Sequence, residues 1–153
     1  MRKSNKKARL CTLYPYILSF IIVGGIYITI EILFRKIIGS TPTHYTMFIL
    51  SGTSGAFCWY LSQIHTTTWQ YWILKPIANG LFITLGEIII GFSRLYIFHL
   101  PRIWHYGTLD ILGIVSLTWS LLWCVLSVPI ILCMERVYRY YIYKKQNKHI
   151  GGK

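Results

Sequence analysis

From Ile111 to Met134 the chain runs for 24 residues without a charged side chain. A helix of that length measures about 36 Å, against about 30 Å for the hydrocarbon core of a bilayer. Three more apolar runs precede it. The first covers residues 10–34 and meets its only charge at Glu31. The second, 47–64, is short and rich in small residues. The third, 77–98, carries Glu87 near its middle and stops before Pro101, which cannot continue a helix. Pro76, just ahead of it, suits a helix's first turn, and Asp110 is placed to cap the fourth. This pattern predicts an all-α fold, a bundle of four transmembrane helices over residues 10–135. Basic tails flank it at 1–9 and 136–153.

Composition supports that reading. Only 13% of the 153 residues are charged and 54% are hydrophobic, whereas soluble domains carry about 25% charged residues. So small a domain exposes much of its surface and would need more charge to cover it. The apolar content excludes intrinsic disorder, and four scattered cysteines exclude a disulfide-built module.

The net charge of +12 would suit a nucleic-acid partner only if it covered a folded face. Instead Arg2, Lys3, Lys6, Lys7 and Arg9 open the chain, and Arg136, Arg139, Lys144, Lys145, Lys148 and Lys153 close it. Charges that bracket apolar runs set orientation. The sequence therefore predicts both termini in the cytoplasm, with Lys75 on the same side and Arg35, Lys36, Arg94 and Arg102 outside. The expected partner is the lipid bilayer of a cytoplasmic membrane, and no nucleic acid. The basic start before an apolar run resembles a signal peptide. The run is long for one, however, and no small-x-small site follows, so an uncleaved anchor is expected. Tyr and Trp residues near the predicted span ends, among them Tyr14, Trp69, Tyr71 and Trp72, fit interfacial belts.

Small residues at helical spacing predict where helices meet: Ser51 with Gly55 and Gly52 with Ala56 in the second run, and Gly113, Ser116, Ser120 and Ser127 in the fourth. The same faces could support self-association.

With only four acids in the chain, two inside spans are informative. Glu31 shares a helix face with Gly24, Tyr27 and Arg35. Glu87 shares one with Gly80, Thr84, Gly91 and Arg94. Acids in lipid face a cavity or a partner because ionised carboxylates are costly there. Two readings stand. Either Glu31, Arg35, Thr84, Glu87 and Arg94 form a polar site between the first and third helices for a cation, proton or polar substrate group, or the acids are internal staples of a membrane scaffold. A faint echo of Tyr27–Glu31 in Phe82–Glu87 needs a one-residue offset to align the acids.

No Walker A sequence, nucleophile motif or His-Glu-x-x-His occurs. The histidines and cysteines lack ligand spacing. No enzyme, cofactor or metal site is expected, and any ATPase would have to be a separate subunit.

Several short motifs occur in a familiar order: Ile30-Glu31-Ile32-Leu33 with Arg35; Thr43-His44-Tyr45-Thr46-Met47-Phe48; Ile83-Thr84-Leu85-Gly86-Glu87 with Gly91; Trp104-His105-Tyr106-Gly107; and Leu112-Gly113 with Trp119-Ser120-Leu121-Leu122-Trp123 and Ser127. On these the chain resembles the small integral membrane proteins of the ABC-transporter type IV, or ABC transporter permease, family. The resemblance implies a polytopic bundle and a permease-like role. It adds His44, Trp104, His105, Tyr106 and Asp110 as loop candidates. Where that family's loop usually reads Trp-Asp-Tyr-Ser, this chain has His105 and Gly107. Arg94 replaces an expected Asn, and Ile114-Val115-Ser116 replaces Gln-Ile-Cys. Both membrane acids are kept.

Overall fold

The computed structural model of the protein describes residues 2–38, 44–64, 67–103, 110–111 and 114–150. Helices follow the apolar runs: α1 (Arg2–Ile38), α2 (Thr46–Ser62), the short α3 (Thr68–Trp72), α4 (Leu74–Phe92) and α5 (Leu117–Ile150). The all-α expectation holds. Three stretches, Leu13–Ile37, Thr68–Ile97 and Leu117–Tyr141, are long and apolar enough to cross a membrane. α2 has 17 residues, about 26 Å at the helical rise, and is the most enclosed of the long helices.

The surface is inverted relative to a water-soluble fold. Ile17, Ile21 and Ile30 of α1, Leu81, Leu85 and Ile89 of α4, and Leu121 and Val125 of α5 are exposed. Ser51, Ser54, Asn79, Glu87 and Ser127 are buried. Such an exterior would be costly in water and suits lipid, where polar groups find partners only inside the bundle. The chain is that of a membrane-embedded protein.

α2 occupies the middle, packed against α1, α4 and α5. Its small residues set how near α1 comes. A Cβ at Gly55 would lie 2.6 Å from the Val23 side chain and 2.7 Å from the Ser19 carbonyl. α4 meets α5 in the same way, Gly80 leaving room for Cys124. Met47 and Leu50 of α2, Ile83 of α4 and Trp123 of α5 form the apolar core, with Tyr27 of α1 against it.

Several boundaries differ from the sequence reading. Helix extends into both basic tails: α1 begins at Arg2 and α5 continues to Ile150. The third run is preceded by α3, whose Thr67 and Gln70 form a reciprocal capping box. The largest correction concerns Asp110, which does not cap the last helix. A two-residue ladder places β1 (Asp110–Ile111) antiparallel to β2 (Val115–Ser116), and α5 begins only at Leu117. Ile114 and Val115 are buried, and Ile114 fills the notch left by Gly91 of α4. Ile114 sits in the turn between the two strands, its N–H donating to the Ile111 carbonyl at 3.1 Å.

α4 ends in a π-helical turn, Ser93–Ile97. The Phe98 N–H donates to the Ser93 carbonyl at 3.0 Å and the Leu100 N–H to the Arg94 carbonyl at 2.8 Å. His99, at φ 50°, supplies the left-handed residue between them, and Pro101 follows. This is a helix C-terminal cap widened by one residue.

Candidate functional site

Two polar regions lie at opposite ends of the bundle. At one end, Arg35 Nε donates to Glu31 Oε1 at 2.7 Å, one helical turn away on α1. The other carboxylate oxygen of Glu31 is buried without a hydrogen-bond partner among the described residues. Glu87, at 1% exposure, lies deeper on α4. Its Oε1 accepts the indole N–H of Trp123 at 3.2 Å. The Trp123 ring also packs on Tyr27, centroids 4.8 Å apart. Glu31 lies one helical turn beyond Tyr27 on α1. The acids of α1 and α4 are thus brought to one neighbourhood, with Tyr27 and Trp123 at its centre.

The other candidates take separate positions. Thr84 turns its hydroxyl to the Gly80 carbonyl, 2.9 Å away on its own helix. Arg94 donates to the Pro101 carbonyl at 3.3 Å. His44 stands at the start of α2, where its Nδ1 contacts Thr46 Oγ1 at 2.9 Å and accepts the Thr46 N–H at 3.3 Å. Burial, and then the nearby Arg94 charge, hold its pKa below the ordinary 6.5. Trp104, His105, Tyr106 and Gly107 lie outside the described residues, as do Gly113 and the side chain of Asp110.

Beneath the acids lies a polar junction that periodicity did not single out. Asn79 of α4 is fully buried. Its amide nitrogen donates to Ser127 of α5 at 2.7 Å and to Ser54 of α2 at 2.9 Å. The Ser54 hydroxyl contacts its amide oxygen at 3.1 Å. Ser127 in turn donates to the Trp123 carbonyl at 2.6 Å. Asn79, Ile83, Glu87 and Gly91 form one buried stripe at four-residue spacing. The lone amide of an apolar helix, two turns from its acid, was the available signal.

No family model, curated protein or solved structure matches this chain. The functional reading therefore rests on its own side chains and on the motifs quoted above.

The opposite end holds a cavity of about 670 Å³ between the end of α2, the α3–α4 corner and the later turns of α5. Lys75, Tyr71, Glu135, Arg136 and Arg139 line it. Arg139 pairs with Glu135 at 2.6 Å. Lys75 is 4% exposed, its Nζ donating to the Ile64 carbonyl at 2.8 Å and standing 5.2 Å from the centre of the Tyr71 ring. Sequence reading placed Lys75 only as an inner-side charge, because nothing in its neighbours announces that α5 folds over it. Among the described residues no group of three His, Cys, Asp or Glu side chains could hold a metal ion.

Proposed function

We propose that this chain is a four-helix multi-pass protein of the cytoplasmic membrane, both termini in the cytoplasm. It acts as a non-enzymatic, permease-like component, with a separate ATPase subunit if its transport is driven by nucleotide. α2, shielded by its neighbours, is the fourth crossing despite its length. The polar site lies between α1 and α4, roofed by Trp123 of α5, and takes a proton, small cation or polar substrate group.

One observation carries this reading. Two carboxylates from different helices are linked through Trp123 and Tyr27, and one Glu31 oxygen is buried without a hydrogen bond among the described residues. Such an oxygen costs free energy unless a proton or cation meets it in some state of the protein. The order of motifs around Glu31 and Glu87 supports the permease-like assignment.

Ion and proton flux in reconstituted vesicles tests it. Glu87→Gln should abolish flux while the protein stays folded; unchanged flux would remove the site. Co-purification with an ATPase subunit would favour a permease component over a stand-alone scaffold.

A second reading, in which the acids are staples of a membrane scaffold, is favoured by the Trp123–Glu87 bond and the Arg35–Glu31 pair. It predicts loss of stability without any flux to lose.

A further inference from the structure

The cavity at the α2–α3–α5 end has no part in the acid site. We propose that it binds the phosphate of an anionic lipid headgroup, with Lys75 as the buried anchor and Arg136 at the rim.

Charge is the first argument. Lys75, Arg136 and Arg139 face one carboxylate, Glu135, and that carboxylate is already engaged by Arg139. The cavity thus keeps a positive excess of two. Lysine is almost never so deeply buried without a counter-charge. Among the described residues no carboxylate lies within ion-pair distance of the Lys75 ammonium. Among the described residues it makes one hydrogen bond, to the Ile64 carbonyl, whereas an ammonium carries three donors. An anion in the cavity would supply missing acceptors.

Position is the second argument. The cavity opens beside α3, where Trp69 and Trp72 are exposed next to Tyr71 and Thr68. Exposed Trp beside Tyr and basic residues marks the level of lipid headgroups. Arg136 is exposed, where it can meet a headgroup arriving from the surrounding leaflet. A volume of about 670 Å³ exceeds what a bare phosphate needs and leaves room for a glycerol head. The inference requires embedding in a bilayer and stands whether or not the acid site transports anything.

The full chain, purified in a neutral detergent, should bind short-chain phosphatidylglycerol saturably, read by tryptophan fluorescence and by a rise in Tm. Phosphatidylcholine of the same chain length should bind at least tenfold more weakly. Lys75→Gln and Arg136→Gln should each weaken phosphatidylglycerol at least tenfold, and Arg102→Gln, remote from the cavity, should not. If Lys75→Gln fails to fold, Arg136→Gln decides, since an exposed arginine can be replaced without emptying the interior. Equal binding of the two lipids, or phosphatidylglycerol affinity unchanged in Arg136→Gln, would overturn the proposal. Saturable binding of inorganic phosphate at lower concentration than the lipid, lost in the same variants, would overturn the lipid assignment in favour of a soluble phosphate.

Discussion

Trp123 of α5 donates its indole N–H to Glu87 of α4 across 3.2 Å, while its ring lies against Tyr27 of α1. One side chain thus serves a buried carboxyl, joins three helices, and contributes to the apolar core with Met47 and Ile83. A tryptophan can do this because its large apolar face and single donor point in different directions. Removing either partner leaves the other group buried with one hydrogen bond fewer, which links the stability of the bundle to the chemistry of its central acid.

Glu87→Leu and Trp123→Phe should therefore be non-additive. A coupling of about 1–2 kcal/mol is expected for a buried hydrogen bond to an acid. Unfolding of both single variants and the double variant in detergent measures it. A coupling near zero would show that the bond contributes nothing to the fold.

Asn79→Leu should cost about 1–3 kcal/mol, since Ser54 and Ser127 then lose a buried partner. Ser54→Ala should cost less, because Asn79 keeps Ser127. Thermal unfolding compares the two, and a larger loss for Ser54→Ala would contradict the junction as described.

Glycine substitutions should separate by helix face. Gly55→Ala and Gly80→Ala place a methyl against Val23 and Cys124 and should lower Tm, the backbones being too close to accept it. Gly25→Ala meets nothing within 4 Å and should be neutral or stabilising, as alanine favours helix.

His44 gives a pH prediction. Its Nδ1 accepts the Thr46 N–H at the start of α2, so protonation breaks a hydrogen bond and adds positive charge at a helix N-terminus. Its folded pKa is below 6.5, so above 6.5 both folded and unfolded forms are neutral and stability is unaffected. As pH falls from 6.5 through the folded value, the unfolded chain takes up the proton first and stability declines. An NMR titration should place His44 below the ordinary value, and Arg94→Gln should move it part of the way back. A titration at or above 6.5 would contradict the proximity of these groups.

The helical character of the chain was legible in the sequence because apolar length is decisive when backbone polar groups cannot reach water. Both acids were legible for the same reason: in runs of Ile and Leu, Glu31 and Glu87 need a partner. The bundle-facing partners were not. In a lipid-facing helix the outer surface is as apolar as the inner, so periodicity that reveals the buried face of a soluble helix is lost. Asn79, Trp123 and Lys75 acquired their roles from neighbours up to 96 residues away along the chain.

The sequence by itself determined an all-helical chain rich enough in Ile and Leu to live in lipid, with positive charge gathered at its ends and few acids within. The tertiary structure alone decided that α5 starts at Leu117, because Ile114 packs into the Gly91 notch. It also decided that Glu87 faces Trp123, and that Lys75 is folded into a cavity with Arg136 and Arg139. Hydrophobicity acts on each segment separately, and so can be read from the linear chain. Hydrogen bonds, close approach and charge compensation act between segments, and exist only once those segments have packed.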